Sequence, residues 1–122
     1  MQNILVIGFS TRNVVCSANR AGYTVCSIDA FRDLDLQECA YKSTFLECRT
    51  VEELHQLDAS RIKAQMSEFG LEFDAVVPGS GLEMLDHKDI PCPVLANSPD
   101  AMQKASDKLY LSKRLEALGI PH

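Results

Sequence analysis

The sequence has no run of lysine and arginine, no apolar stretch near the length of a membrane span and no Cys-x-x-Cys pair. Each absence removes a class of function. Phosphate backbones are held by clustered cations that displace counterions, and a chain of formal net charge -5 without such a cluster is not expected to bind nucleic acid. A small anionic or neutral ligand held by local positive groups stays open. The first apolar stretch, Ile4 to Ile7, is too short for the hydrophobic region of a secretion signal and follows no cationic segment. No stretch reaches the roughly 20 apolar residues a spanning helix needs. The chain is therefore read as cytoplasmic, with no membrane partner. The five cysteines, Cys16, Cys26, Cys39, Cys48 and Cys92, are odd in number and lack zinc-ligand spacing, so they are expected to be reduced, inert thiols.

What is present is enough apolar material for one core: 46% of 122 residues. Asn3-Ile-Leu-Val-Ile7, ending in Gly8, reads as a central strand buried on both faces of a parallel sheet. Ser10 or Thr11 can cap a helix carrying Val14, Val15, Ala18 and Ala21, with Gly22 placed to end it. Tyr23 to Ile28 reads as the next strand, closed by Asp29. Strand, helix and strand in about thirty residues make a βαβ unit, which implies a parallel sheet. A short strand is expected over Lys42 to Leu46. Thr50-Val-Glu-Glu53 then has capping-box spacing and opens a helix through Val51, Leu54, Leu57, Ile62, Met66 and Phe69 to Gly70. Asp74 to Pro78 and a minimal Val94 to Ala96 complete the strands. Ser98-Pro99 and Asp107 begin two further helices, the second with Leu111, Leu115 and Leu118 on one face and Gly119-Ile-Pro121 at its end.

In open parallel sheets, ligands bind outside the carboxyl ends of the strands, where loops and helix N-termini converge. Three loops qualify: Gly8 to Arg12, Asp29 to Asp33, and Gly79 to Glu83. The first offers backbone N–H groups, the hydroxyls of Ser10 and Thr11, and the guanidinium of Arg12, a set suited to a carboxylate or phosphate. It is not a dinucleotide fingerprint, because Ser10 and Asn13 stand where that pattern needs glycine. Asp29 sits where a ribose-binding acid would be found, yet without those glycines it reads as a turn residue. Arg12 is equally suited to pairing with Asp29 or Asp33. In the third loop, Gly79, Ser80 and Gly81 permit a close backbone approach, and Glu83 could meet a cation or ammonium or merely stabilise a helix start. His55, His87 and His122 share no catalytic or ligand spacing with the acids or cysteines.

The most specific stretch is Ser98-Pro-Asp-Ala-Met-Gln-Lys-Ala-Ser-Asp-Lys108, followed by Leu111-Ser-Lys-Arg-Leu115 and Gly119-Ile-Pro121. It resembles the entry to the ATP-grasp domain, where an Asp-Lys pair opens a helix ending in Gly-Ile-Pro, matched here by Asp107, Lys108, Gly119, Ile120 and Pro121. The preceding residues are similar to the pre-ATP-grasp domain of the superfamily that includes biotin carboxylase and carbamoyl-phosphate synthetase. Pro78-Gly-Ser-Gly-Leu-Glu83 looks like its glycine-rich loop, and Ile4 to Arg12 looks especially like archaeal ATP-grasp proteins.

The resemblance implies an α/β, three-layer Rossmann-like parallel sheet with helices on both faces, a pre-ATP-grasp domain over residues 1–98, and the start of a truncated ATP-grasp domain over 99–122. It implies that Lys108 contacts an ATP phosphate. It further implies a parent ligase that uses ATP and Mg²⁺ to join a small-molecule carboxylate to an amine. The missing ATP-grasp lobes would be this chain's partners. The chain itself is expected to bind no cofactor, to catalyse nothing alone, and to self-associate through the apolar surface those lobes would cover. The competing expectation is a stand-alone Rossmann-like or flavodoxin-like module that binds a small ligand without chemistry.

Overall fold

The computed structural model describes residues 2–47, 50, 52–53, 57, 59–82, 85–88 and 90–121. Four parallel strands form the sheet in the order β3-β2-β1-β4. They are β1 (Asn3–Gly8), β2 (Thr24–Asp29), β3 (Lys42–Phe45) and β4 (Ala75–Pro78). β1 pairs with β2 from Asn3↔Thr24 to Gly8↔Asp29, and with β4 from Ile4↔Ala75 to Ile7↔Pro78. The continuous apolar run of Ile4 to Ile7 thus occupies the centre, as its lack of polar alternation requires: both faces of this strand are covered. The expected last strand is reduced to a single parallel bridge, Val76↔Val94.

Alternation along the strands divides the core in two. Ile4, Val6 and Val25 point to the face covered by α1 (Arg12–Arg20) and α2 (Leu34–Cys39), where Val15 and Leu36 are fully buried. Leu5, Ile7, Cys26, Ile28 and Val76 point to the opposite face, against Ile62 and Met66 of α3 (Ala59–Glu68) and against Phe69. Helices on both faces of a parallel sheet give the three-layer architecture implied by the sequence.

Local signals explain most element ends. Gly22 follows α1 with φ of 95°, and Gly70 follows α3 with φ of 67°, a left-handed turn that glycine adopts at least cost. The Thr50 hydroxyl accepts from the Glu53 amide at 3.1 Å, which is half of the expected capping box. Ser98 accepts from the Ala101 amide at 3.2 Å and opens α4 (Pro99–Ser106). Asp107 accepts from the amides of Leu109 and Tyr110 at 3.0 and 3.1 Å and opens α5 (Lys108–Ala117).

The structure departs from expectation in several places. The helix expected from Thr50 to Gly70 is not continuous, since Leu57 lies outside any helix and α3 starts at Ala59. Helix α2 has no counterpart in the sequence reading; Asp33 caps it by accepting from the Leu36 amide at 2.8 Å. The thiols of Cys16 and Cys39 are not free: they form a disulfide across α1 and α2, with Cα atoms 5.0 Å apart, while Cys26 and Cys92 stay reduced. Spacing alone missed it because Cys39 is brought to Cys16 by a helix that was not foreseen. Val14 lies on the solvent side of α1, leaving Val15 as the buried residue of that helix. Leu111 and Leu118 are exposed and Leu115 is half-buried, and neither α4 nor α5 contains a buried residue.

Candidate functional site

Because β1 and β4 are parallel neighbours, the turns that leave Gly8 and Pro78 emerge on the same edge of the sheet. They approach as closely as backbone allows. A Cβ on Gly8 would lie 3.0 Å from the Gly79 Cα and 3.1 Å from the Ser80 nitrogen, so a side chain there would force the facing backbone to give way. The amide of Gly79 donates to the Ile7 carbonyl at 2.6 Å and that of Phe9 to the Ser80 carbonyl at 2.8 Å. The Ser10 amide donates to the Ser80 hydroxyl at 3.2 Å, and that hydroxyl donates in turn to the Ser10 carbonyl at 3.4 Å. Ser10, Gly79, Ser80 and Gly81 therefore form one polar rim, with Ser10 and Ser80 exposed. Glu83, assigned from sequence to the same rim, lies outside the described residues, as do His55 and His122.

Thr11 and Asp29 lie behind this rim, at 1% and 2% exposure. One Asp29 oxygen accepts from the Thr11 amide at 2.6 Å and the Thr11 hydroxyl at 2.8 Å. The other accepts from the amides of Phe31 and Arg32 at 2.7 and 2.9 Å. Since the Thr11 hydroxyl donates to Asp29, it must accept from Ser27, whose hydroxyl lies 2.6 Å away. Asp29 thus ties the first rim loop to the second, a larger role than that of a turn residue. Thr11 is the N-cap of α1 but makes no side-chain cap, because its hydroxyl is already committed. Every buried side-chain nitrogen and oxygen among the described residues has a partner.

The cations divide differently from the sequence reading. Arg12 turns along the surface to Asp33 and Asp35, at 3.8 and 3.5 Å. Arg32, which drew no attention in sequence, sits in the left-handed region with φ of 45°. Its Nε donates to the Ser43 hydroxyl at 3.0 Å, and its guanidinium lies 4.8 Å from the centre of the Phe45 ring. The signal that marked it was its place between Asp29 and Asp33, in a loop already chosen on topological grounds. Lys108 is the exposed first residue of α5, on the helical hairpin rather than at the rim.

Among the described residues no three His, Cys, Asp or Glu side chains gather to hold a metal. No described helix is long and apolar enough to cross a membrane. Burial pushes the Cys26 thiol above its ordinary pKa of 9.0, against a smaller lowering by Lys42. Burial, with Asp74 nearby, does the same to Cys92. The rim can meet a polar group through the exposed residues Ser10 and Ser80.

A parallel three-layer sheet with a glycine-lined rim at its carboxyl edge defines a Rossmann-like α/β domain. No protein-family model matches the sequence, and no curated protein sequence matches it. Among solved structures it is similar to N5-carboxyaminoimidazole synthetase from Staphylococcus aureus complexed with ADP, at TM-score 0.56 and 18% identity, covering 97% of this chain and 30% of that one. It is similar as well to N5-carboxyaminoimidazole ribonucleotide synthetase from Thermotoga maritima, at TM-score 0.55 and 18% identity, covering 99% and 32%. The chain thus spans about a third of the length of these synthetases, and the likeness is one of fold.

Proposed function

We propose that the chain is the N-terminal, substrate-side domain of an ATP-grasp ligase of archaeal type that joins a small-molecule carboxylate to an amine. The observation that carries this reading is the stitched rim. Two glycine-containing turns meet on one sheet edge, so close that a Cβ on Gly8 would stand 3.0 Å from the Gly79 Cα, and leave Ser10 and Ser80 exposed to a ligand. The fold shared with the two synthetases supports it, as does the Asp107-capped helix that resembles an ATP-grasp entry.

In this reading residues 1–98 form the substrate-side domain and 99–122 begin the ATP-grasp domain. Ser10, Gly79, Ser80 and Gly81 face the substrate, and Glu83 is assigned to the same role from sequence. Thr11 and Arg12 hold the loop in place through Asp29, Asp33 and Asp35. Lys108 reaches an ATP phosphate once further lobes are in place. ATP and Mg²⁺ would be held by those lobes, where they would supply the activation of a carboxylate for attack by an amine. The protein works in the cytoplasm. Leu109, Tyr110, Leu111, Leu118 and Ile120 are exposed on and after α5, and they pack against the partner lobes or, in the isolated chain, against a second copy.

The test is to read the gene past the codon for His122 and assay the encoded protein. ADP release that requires both a carboxylate and an amine supports the proposal. A frame closing at His122, release of AMP instead of ADP, or ATP turnover by the 122-residue chain alone overturns it.

A further inference from the structure

A second polar feature lies away from the β1–β4 rim, where the β2–α2 loop meets the outer edge of the sheet. A cleft of about 460 Å³ opens there, lined by Arg32, Lys42, Ser43, Thr44 and Glu68 among others. That volume falls within the range of small-molecule sites, roughly 300–1,000 Å³. Its principal cation is held from every side by groups that leave its charge unanswered. The Arg32 amide donates to Asp29, its carbonyl accepts from the Gln37 side chain at 2.6 Å, its Nε donates to Ser43, and its guanidinium lies over Phe45. Among the described residues none of these contacts is an ion pair. Arg12, Arg61 and Lys104, by contrast, each have an acid within 4 Å.

The backbone at Arg32 adopts a left-handed φ of 45°, which a non-glycine residue takes only at some cost in strain. Such a residue persists where its surroundings fix it, and here Asp29 and Gln37 do so. The second cation is Lys42, whose ammonium donates to the Phe69 carbonyl at 3.2 Å and likewise lacks an acid partner among the described residues. Ser43 and Thr44 follow Lys42 directly along β3 and line the same cleft. Glu68 is the one acid in the lining.

We infer that this cleft is a binding site for a phosphomonoester, with the Arg32 guanidinium as its anchor. A planar guanidinium already fixed through Nε presents its terminal N–H groups in a fork that matches two oxygens of a phosphate. A second cation and two hydroxyls suit a dianion with three free oxygens better than a carboxylate with two. This site is separate from the rim of Ser10 and Ser80 and does not depend on the ligase reading.

The experiment is a titration of the 122-residue chain with inorganic phosphate at constant ionic strength, followed by amide and arginine Nε–H NMR signals. Saturable shifts at Arg32, Ser43 and Thr44 are expected, with acetate producing weaker ones. The decisive variant is Arg32→Gly, because glycine relieves the left-handed backbone while removing the cation, so the fold survives and signals from Leu5 and Val6 stay in place. Phosphate affinity should fall about tenfold or more in that variant. Equal affinity in Arg32→Gly, acetate binding as tightly as phosphate, or shifts confined to Ser10 and Ser80 would each overturn the assignment.

Discussion

The α/β sheet and the carboxyl-terminal hairpin of α4 and α5 are built from sequences with similar helical and capping signals, yet they end in opposite states. In the sheet, Leu5, Val6, Ile7, Val15, Ile28, Leu36 and Ile62 are wholly buried. In the hairpin nothing is, and Leu109 is 65% exposed. Caps and periodicity place a helix; they do not supply the surface that covers it. The sheet completes itself because each strand offers two faces and the chain returns helices to both. The hairpin presents an apolar stripe that no other described part of the chain reaches.

Substitutions can break or sharpen this contrast. The largest effect is expected for Asp29→Asn, which sets an amide NH₂ against two of the four donors that now converge on two acceptor oxygens. A loss of about 4 kcal/mol, read from urea unfolding, is the expected result. A loss below about 1 kcal/mol would mean that the loops at Gly8 and Asp29 hold their places without the carboxylate. Opening the Cys16–Cys39 bond with dithiothreitol, or replacing both residues by serine, should cost about 3 kcal/mol, because it frees a closed loop spanning a sequence separation of 23. Mass spectrometry of alkylated protein would confirm the oxidised pair in the same sample.

The comparison itself is tested most directly by a matched pair of truncations. Leu5→Ala in the sheet should cost about 3 kcal/mol through the cavity it leaves. Leu109→Ala in the hairpin should change stability by less than about 0.5 kcal/mol, and equal costs at the two positions would contradict the difference in burial. Gly8→Ala should cost about 2 kcal/mol, because its methyl meets backbone at 3.0 Å rather than a side chain that can move. The smallest effect concerns Cys26. Its pKa is raised in the folded protein, so the unfolded chain loses the thiol proton first, and stability should decline as pH rises above about 9.0. The decline should be shallower in Cys26→Ala, monitored by thermal unfolding at several alkaline pH values.

Much of the fold is legible in particular residues. The unbroken run at Ile4 to Ile7 admits only a central strand, and Gly8, Ser98-Pro99 and Asp107 mark boundaries that the structure keeps. Helix α2 was not legible, because six residues with one buried leucine give too short a period to detect. Of the rim, Ser10 and Gly79 to Gly81 were found from topology and are brought together by it. Arg12 and Arg32 could not be ranked from sequence. Both are arginines in or beside rim loops, and only three-dimensional proximity shows that one meets two aspartates and the other a serine and an aromatic ring.

The sequence by itself determined the order of the four strands and of most helices, many of their ends and the sheet edge at which the turns gather, since these follow from local periodicity, capping and the covering of apolar strands. The tertiary structure alone decided which polar groups are spent inside the protein and which remain for a ligand. Asp29, Thr11 and Cys39 find their partners across 23 or fewer positions of chain, and Ser80 across 70. Such pairings depend on how the elements pack, because a hydroxyl, carboxylate or thiol carries no periodic signal of the partner it will meet.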